Sequence, residues 1–161
     1  MIFATVGTQL PFDRLVSALD SWLETQEQTE VFAQIGVTSY RPRRLKWKKF
    51  LDGQEFSEHF ENATAIVAHA GIGSILPALE LGKPIVIMPR LAELGEHRND
   101  HQLATARRFE QMQLVSVAYN TEQLIEQLEH VGSKGPSQEI SCQASPDLLL
   151  RLRQFILAAS A

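Results

Sequence analysis

Two glycine-containing turns hold the residues best suited to chemistry. Gly7-Thr8-Gln9 follows the apolar run Ile2–Val6, and His69-Ala70-Gly71-Ile72-Gly73-Ser74 follows the apolar run Ala65–Ala68. Glycine lets the backbone approach a ligand closely, and free N–H groups at the start of a helix attract an anion such as a diphosphate. A tight turn that needs glycine only for its backbone angles explains either pattern equally well. The second turn matches neither the Walker A motif nor Gly-x-Gly-x-x-Gly.

A dense polar cluster, residues 93–102 (ELGEHRNDHQ), follows a later apolar run. Its last members carry amide, carboxylate and imidazole groups that can hydrogen-bond the hydroxyls of a sugar: Asn99, Asp100, His101 and Gln102. A solvated helix start with a capping residue is the alternative. His97 and His101 are four residues apart, but Arg98 stands where a His-Glu-x-x-His zinc motif has Glu, and no third ligand is evident. We therefore expect no metal.

Residues 41–49 (RPRRLKWKK) contain six basic residues in nine, interleaved with Trp47 and followed by Phe50. Such a segment would suit an anionic lipid surface or an acidic partner, and single-stranded nucleic acid is a further anionic ligand. The plainest interpretation is a charged loop and edge strand that Lys and Arg keep soluble. The net charge of −4 argues against a dedicated nucleic-acid binder.

The elements that must position these groups follow from alternating apolar runs and amphipathic stretches. The predicted strands are Ile2–Val6, Val31–Ile35, a segment near Leu45–Phe50, Ala65–Ala68, Pro84–Met88 and Leu114–Ala118. The predicted helices are Pro11 to about Glu27, Glu55–Glu61, Ser74–Leu81, Asn99 to about Gln111, Thr121–Glu129 with Thr121 as its cap, and Asp147–Ala158. A loop rich in Gly, Ser and Pro, residues 132–146, precedes the last helix.

This alternation predicts an α/β fold, a Rossmann-like parallel sheet with helices on both faces. With the common strand order 3-2-1-4-5-6, strands 1 and 4 are neighbours, and their carboxyl ends flank the switch point where ligands bind. The Gly7 turn follows strand 1 and the Gly71 turn follows strand 4. Both turns would therefore meet at one crevice.

Length and composition indicate one globular domain over residues 1–161, with 44% hydrophobic and 21% charged residues. The single cysteine, Cys142, excludes an internal disulfide and a zinc site built from cysteines, and it fits a reducing compartment. The N-terminus lacks the features of a signal peptide, and no run approaches the ~20 apolar residues of a membrane span. We expect a cytoplasmic protein.

Several motifs resemble, in order, those of glycosyltransferase family 28 C-terminal-domain proteins. They are Ile2–Gln9 with Pro11–Leu15, His69–Leu76, Leu81–Pro84 and Asn99–Gln102, and the likeness covers residues 1–110. It is greatest to single-domain members, which include small subunits of two-part N-acetylglucosaminyltransferases and bacterial exopolysaccharide transferase subunits. The pair Glu96-His97 resembles the bacterial kind most.

The resemblance implies the nucleotide-sugar-binding, C-terminal half of a GT-B glycosyltransferase with a UDP-sugar donor. Gly7, Thr8, Gly71, Ile72, Gly73 and Ser74 would lie near the diphosphate. Backbone near Phe50 and Leu51 would meet the uracil, and Asn99–Gln102 would face the sugar. Neither a metal nor another cofactor is implied, because a helix N-terminus offsets the charge of the leaving diphosphate. A membrane-anchored partner chain would bind the acceptor.

One position departs from the family pattern. Many relatives have an acidic residue six positions after the first motif glycine, where it holds the ribose hydroxyls, and here that position is Pro77. Glu80, one helical turn later, is the candidate replacement. For the general base the candidates are His69 and an acid on the partner chain.

The sequence thus predicts the donor-binding and catalytic subunit of an inverting glycosyltransferase. It would move a sugar from a UDP-sugar to a lipid-linked acceptor in polysaccharide or glycolipid synthesis, together with its partner. The alternative is a non-catalytic subunit that binds and activates a membrane-associated glycosyltransferase, which Pro77 and the small size favour.

Overall fold

The computed structural model describes residues 1–26 and 28–131, which form a six-stranded parallel sheet in the order β3-β2-β1-β4-β5-β6. The strands are β1 (Ile2–Thr5), β2 (Val31–Gln34), β3 (Lys46–Lys48), β4 (Ala65–His69), β5 (Ile85–Met88) and β6 (Ser116–Val117). The helices are α1 (Asp13–Leu23), α2 (Gly53–Asn62), α3 (Ile72–Glu80), α4 (His101–Gln111) and α5 (Thr121–Val131), with a 3₁₀ turn at Ala92–Leu94. The predicted fold class and strand order are confirmed.

Alternate residues of each buried strand point to opposite sides of the sheet, so both of its faces are apolar. Helices cover each face. In β1, Ile2 and Ala4 pack in one apolar cluster, whereas Phe3 packs in the other. The first cluster takes its helical side chains from α1 and α5, including Leu15, Leu19, Leu124 and Leu128. The second takes them from α2, α3 and α4, including Phe60, Ile75, Leu79 and Ala106. The strands therefore read as continuous apolar runs, as expected for a sheet buried on both faces.

Polar contacts decide where several elements begin. α2 starts two residues earlier than predicted, because Asp52 and Glu55 form a capping box at its first turn. The prediction that Thr121 caps α5 is wrong. Thr121 is the first helical residue, and the Oδ1 atom of Asn120 accepts a hydrogen bond from the backbone N–H of Gln123 at 2.8 Å.

The predicted loop at 132–146 and the predicted helix at 147–158 lie outside the described residues. Of the helices that the structure does describe, none has both the length and the apolar character needed to cross a bilayer.

Candidate functional site

A cavity of about 590 Å³ opens at the carboxyl ends of the central strands. Segments that are far apart in the chain form its wall, including residues 5–10, 51–53 and the turn after β4. The predicted site residues found in this wall are Gly7, Thr8, Leu51, His69, Gly71, Gly73, Ser74, His101 and Gln102. The two glycine-containing turns therefore border the same crevice, because β1 and β4 are adjacent in the sheet.

Other predicted site residues lie outside the cavity wall: Phe50, Ile72, Glu80, Asn99 and Asp100. Glu80 is exposed and is the last residue of α3, whereas the Gly71 turn begins that helix. At 1.5 Å per residue, Glu80 is about 10 Å along the helix from Gly73. Glu80 is therefore not among the residues that line the cavity, and its role at the ribose stays a prediction. Asp100 is engaged within the chain, where its Oδ1 accepts a hydrogen bond from the Ala92 N–H at 3.0 Å.

The imidazole of His69 lies between the two turns. A Cβ atom added at Gly7 would be 2.8 Å from its Cε1, and one added at Gly71 would be 2.3 Å from its Nε2. Packing therefore requires glycine at both positions, and Gly7 also has a positive φ of 76°. A Cβ atom at Gly73 would meet nothing within 4 Å. The open space at Gly73 borders the cavity, where a ligand can approach the backbone.

Burial lowers the pKa of His69 to about 4, and the charge of Arg90 adds to the shift. The ring is therefore neutral at physiological pH. Its Nδ1 atom is buried and makes no hydrogen bond of ordinary geometry with the described residues. A neutral imidazole can accept a proton, but a group with this pKa is a weak general base at neutral pH.

Arg90, which sequence interpretation missed, lies in the cavity wall and is only 2% exposed. Its guanidinium donates hydrogen bonds to the carbonyls of Val6 and Leu10, each at 2.7 Å, and to that of Pro11. It also lies 4.7 Å from the centre of the Phe12 ring, a cation–π distance. Burial lowers the pKa of Arg90 to about 10, so the side chain keeps its charge at neutral pH. A buried cation thus stands beside the cavity, bound mainly to backbone carbonyls.

Gln34, at the end of β2, was also missed. Its Nε2 atom donates to the Gly7 carbonyl at 3.2 Å, and its Oε1 atom accepts from the Leu51 N–H at 3.3 Å. Together with Arg90 it occupies carbonyl groups along residues 6–11, which we call the cavity loop. None of the hydrogen bonds among the described residues uses the N–H groups of Thr8, Gln9 or Leu10. These N–H groups belong to residues of the cavity wall, and successive free N–H groups of this kind bind anions.

The start of α3 provides a second set of free donors. Gly71 is its N-cap and has no side chain to cap the helix, and no hydrogen bond among the described residues uses the N–H of Ile72 or Gly73. The positive end of the helix dipole adds to their attraction for an anion. Both turns therefore place free N–H donors in the cavity wall, and Arg90 adds a positive charge to it.

An ion pair between Arg14 of α1 and Glu96, with an N–O distance of 2.8 Å, fixes the segment after β5. Gln102, at the start of α4, also fixes this segment. Its Oε1 atom accepts a hydrogen bond from the backbone N–H of Arg90 at 3.1 Å. Gln102 was expected to face the sugar, and it lines the cavity while also fixing Arg90. Spacing in the sequence does not reveal the Arg14–Glu96 pair, since 82 residues separate the two.

His97 and His101 stand together at the cavity, with ring centres 4.4 Å apart. Burial, and then the proximity of His101, lowers the pKa of His97. Within residues 1–26 and 28–131, no group of three or more His, Cys, Asp or Glu side chains is arranged to hold a metal ion. In this part of the chain the histidine pair is joined by no third side chain of those types that could share a metal ion with it.

The family to which the chain belongs is decided by its match to the glycosyltransferase family 28 C-terminal domain over residues 1–148. The chain is a member of that family. The human UDP-N-acetylglucosamine transferase subunit ALG13 is 34% identical to it over 119 residues, which are 67% of this chain and 10% of that protein. The Kluyveromyces lactis protein of the same name is 36% identical over 83 residues, which are 48% of this chain and 40% of that protein. The match thus spans well under half the length of these relatives.

Solved structures show the same fold at low identity. The calicheamicin glycosyltransferase CalG4 aligns with 83% of this chain and 34% of its own, with a TM-score of 0.61 and 17% identity. The solution structure of ALG13 aligns with 94% of this chain and 93% of its own, with a TM-score of 0.60 and 19% identity. The described fold of this family 28 domain is therefore that of the C-terminal domain of GT-B glycosyltransferases.

Proposed function

We propose that this chain is the donor-binding and catalytic subunit of an inverting glycosyltransferase. It takes a UDP-sugar as donor and transfers the sugar to a lipid-linked acceptor in polysaccharide or glycolipid synthesis. The observation that carries the proposal is the single cavity bordered by both glycine-containing turns and Arg90. Family membership and the names of the relatives, which are UDP-N-acetylglucosamine transferase subunits, support the same activity.

Charge develops on the leaving diphosphate as the bond to the sugar breaks, so donors aimed at that group lower the barrier. In our proposal the free N–H groups of the cavity loop and of the first turn of α3 bind the diphosphate. The charge of Arg90 strengthens the same field without direct contact being required. The uracil would lie toward Leu51, and the sugar toward His101 and Gln102.

His69 is better suited to spacing the two turns than to accepting the acceptor's proton. Its pKa of about 4 makes it a weak base, and its ring is packed against Gly7 and Gly71. We therefore propose that the general base comes from the partner chain, which also binds the acceptor.

Exposed apolar side chains around the cavity mouth support such a partner. Ile72 and Leu94 follow the carboxyl ends of β4 and β5 and are 47% and 55% exposed. Apolar side chains that gather on one side of a protein are typical of an interface. In our proposal the partner is membrane-anchored, and the heteromer acts at the cytoplasmic face of the membrane.

The decisive experiment is calorimetric titration of the purified chain with UDP, GDP and UDP-N-acetylglucosamine. We expect UDP to bind, and Gly73→Asp to reduce its affinity by at least about tenfold, because a carboxylate would occupy the open space beside the diphosphate. Ser57→Asp adds the same charge at an exposed position of α2 and should leave the affinity unchanged. Unchanged UDP affinity in folded Gly73→Asp would remove this site. No nucleotide affinity with or without the partner would favour the non-catalytic alternative.

A further inference from the structure

The basic segment next to the cavity is held in place by acidic residues that do not neutralise it. Among the described residues, Lys46 pairs with Glu30 at 2.6 Å and Lys48 pairs with Glu55. No ion pair within the described residues involves the other four cations, Arg41, Arg43, Arg44 and Lys49, and all four are exposed. The segment thus keeps free positive charge in a chain whose net charge is −4.

Asp20 of α1, only 2% exposed, fixes residues 40–45, which we call the arginine loop. Its carboxylate accepts hydrogen bonds from the backbone N–H groups of Arg43, Arg44 and Leu45 at 2.8–3.1 Å. It also accepts one from the hydroxyl of Tyr40 at 2.9 Å. These bonds lower the pKa of Asp20 despite its burial, which acts in the opposite direction. The carboxylate therefore orders the backbone of the loop while leaving the guanidinium groups free.

A second carboxylate of α1 ties down the segment that leads into the arginine loop. Asp13 accepts hydrogen bonds from the hydroxyls of Thr38 and Ser39. Asp13 and Asp20 are seven residues apart, so both lie on one face of α1. A loop ordered in this way loses little conformational entropy when its side chains bind a surface.

Apolar side chains adjoin these charges at the cavity end of the edge strand β3. Phe50 is 47% exposed and Val37 is 53% exposed, and the Gly36 N–H donates to the Lys49 carbonyl at 2.8 Å, which brings the two segments together. The free arginines precede β3 and Lys49 follows it, so the charges are spread along the edge of the sheet and do not converge on one point. Spread cations with adjacent apolar side chains suit the interface of an anionic bilayer. Solubility of the edge strand accounts for the lysines within β3 but not for an ordered arginine loop outside it.

We propose that the arginine loop, with Lys49 and Phe50, binds the anionic headgroups of a phospholipid bilayer. The proposal rests on the proposed function, in which the acceptor is linked to a lipid. Because Phe50 directly precedes Leu51 of the cavity wall, contact through this edge brings the nucleotide end of the cavity to the membrane. The direct contact adds to any anchoring that a partner chain provides.

Vesicle cosedimentation of the purified chain tests the proposal. We expect binding to vesicles containing roughly one third phosphatidylglycerol, little binding to phosphatidylcholine alone, and weaker binding as salt is raised. Replacing Arg43 and Arg44 together by Gln should reduce vesicle binding by about tenfold or more, given the attraction expected for each basic residue. The matched control replaces Arg107 and Arg108, which are exposed on α4, by Gln. It removes the same charge and should change vesicle binding by less than about twofold.

Asp20→Asn separates geometry from net charge. It makes the chain less negative by one unit, so attraction by net charge alone would strengthen binding, whereas loss of the ordered loop should weaken it. Equal binding of both kinds of vesicle, or full binding by the Arg43/Arg44 variant, overturns the proposal. So does binding of a single-stranded oligonucleotide or an acidic peptide in place of vesicles. UDP affinity should be unchanged in the Arg43/Arg44 variant. If the wild-type chain binds vesicles but not UDP, the surface stands and the proposed donor site fails.

Discussion

The cavity loop and the arginine loop are both fixed by one buried charge, but the charges have opposite signs. Arg90 holds carbonyl groups of the cavity loop, and Asp20 holds N–H groups of the arginine loop. Each of these side chains is 2% exposed, and neither forms an ion pair with a described residue. A buried cation leaves backbone N–H groups available to an anionic ligand, whereas a buried anion leaves the basic side chains of the loop available to an anionic surface. In both regions backbone groups supply most of the hydrogen bonds to the buried charge. The free N–H groups of the cavity loop and the arginine side chains of the arginine loop therefore remain available to bind external anions.

Arg90→Met should have the largest effect on stability, because it removes the buried charge that orders the cavity loop. Removing the guanidinium leaves the buried carbonyl of Val6 and the partly buried carbonyl of Leu10 without this donor, at a cost of about 3 kcal/mol in the free energy of unfolding. UDP affinity should fall with the order of the cavity loop. Urea unfolding and calorimetry measure the two effects, and Arg90→Lys should restore part of each. A Met variant with unchanged stability and UDP affinity would mean that Arg90 does not order the loop.

Asp20→Asn should destabilise the chain by about 2 kcal/mol, because an amide cannot accept the same set of hydrogen bonds from three backbone N–H groups. UDP affinity should stay near the wild-type value, since Asp20 lies outside the cavity wall. Glu24→Gln, exposed at the end of the same helix, is the control and should have almost no effect. Equal stability of the two variants in urea unfolding would show that the carboxylate is dispensable.

The turn after β4 offers a sharper comparison between neighbouring glycines. Gly71→Ala should cost about 1–3 kcal/mol, because its Cβ atom would lie 2.3 Å from the His69 ring. Gly73→Ala should leave stability unchanged or raise it by up to about 1 kcal/mol, since the position is helical and open. Only the second variant should lose UDP affinity without losing stability. Thermal unfolding and calorimetry of both variants check this, and equal destabilisation would contradict it.

The smallest expected effect is a difference in how the two regions contribute to the free energy of unfolding as the pH is lowered. The pKa of His69 is 6.5 when unfolded and about 4 when folded, so the unfolded chain binds more protons between these values. The contribution of His69 to stability therefore falls as the pH is lowered from 6.5 toward 4. The pKa of Asp20 is lowered from 3.8, so the arginine loop loses its contribution only at a lower pH. His69→Gln should flatten the dependence between pH 6.5 and 4 in urea unfolding.

The sequence predicted the sheet well, because a strand buried on both faces appears as an uninterrupted apolar run such as Ile2–Val6. It also predicted that the Gly7 and Gly71 turns would meet, since strand order determines which carboxyl ends are adjacent. These features depend on local pattern and on a general rule of topology. The roles assigned to the individual site residues in binding or catalysis remain predictions.

The buried charges could not be predicted in the same way. Asp20 has the sequence context of a surface residue on an amphipathic helix, and its burial depends on a loop more than 20 residues later. Two features of the sequence weakly indicated buried polar residues. Gln34 is an amide at the end of an apolar strand, and Arg90 is a cation directly after Met88-Pro89. Glu80 was assigned from helical spacing alone, and its direction depends on where α3 begins. Contacts between distant segments, which spacing does not reveal, hold Asp20, Gln34 and Arg90 in place.

The imidazole of His69 sets the width of the gap between two backbone turns, since it touches both Gly7 and Gly71. Substitutions at positions 7, 69 and 71 therefore depend on one another. A descendant of this chain that acquired a side chain at position 7 or 71 would have to exchange the ring at 69 for something smaller at the same time. Single steps along that route pass through a clash, so the three residues should be inherited together or replaced together.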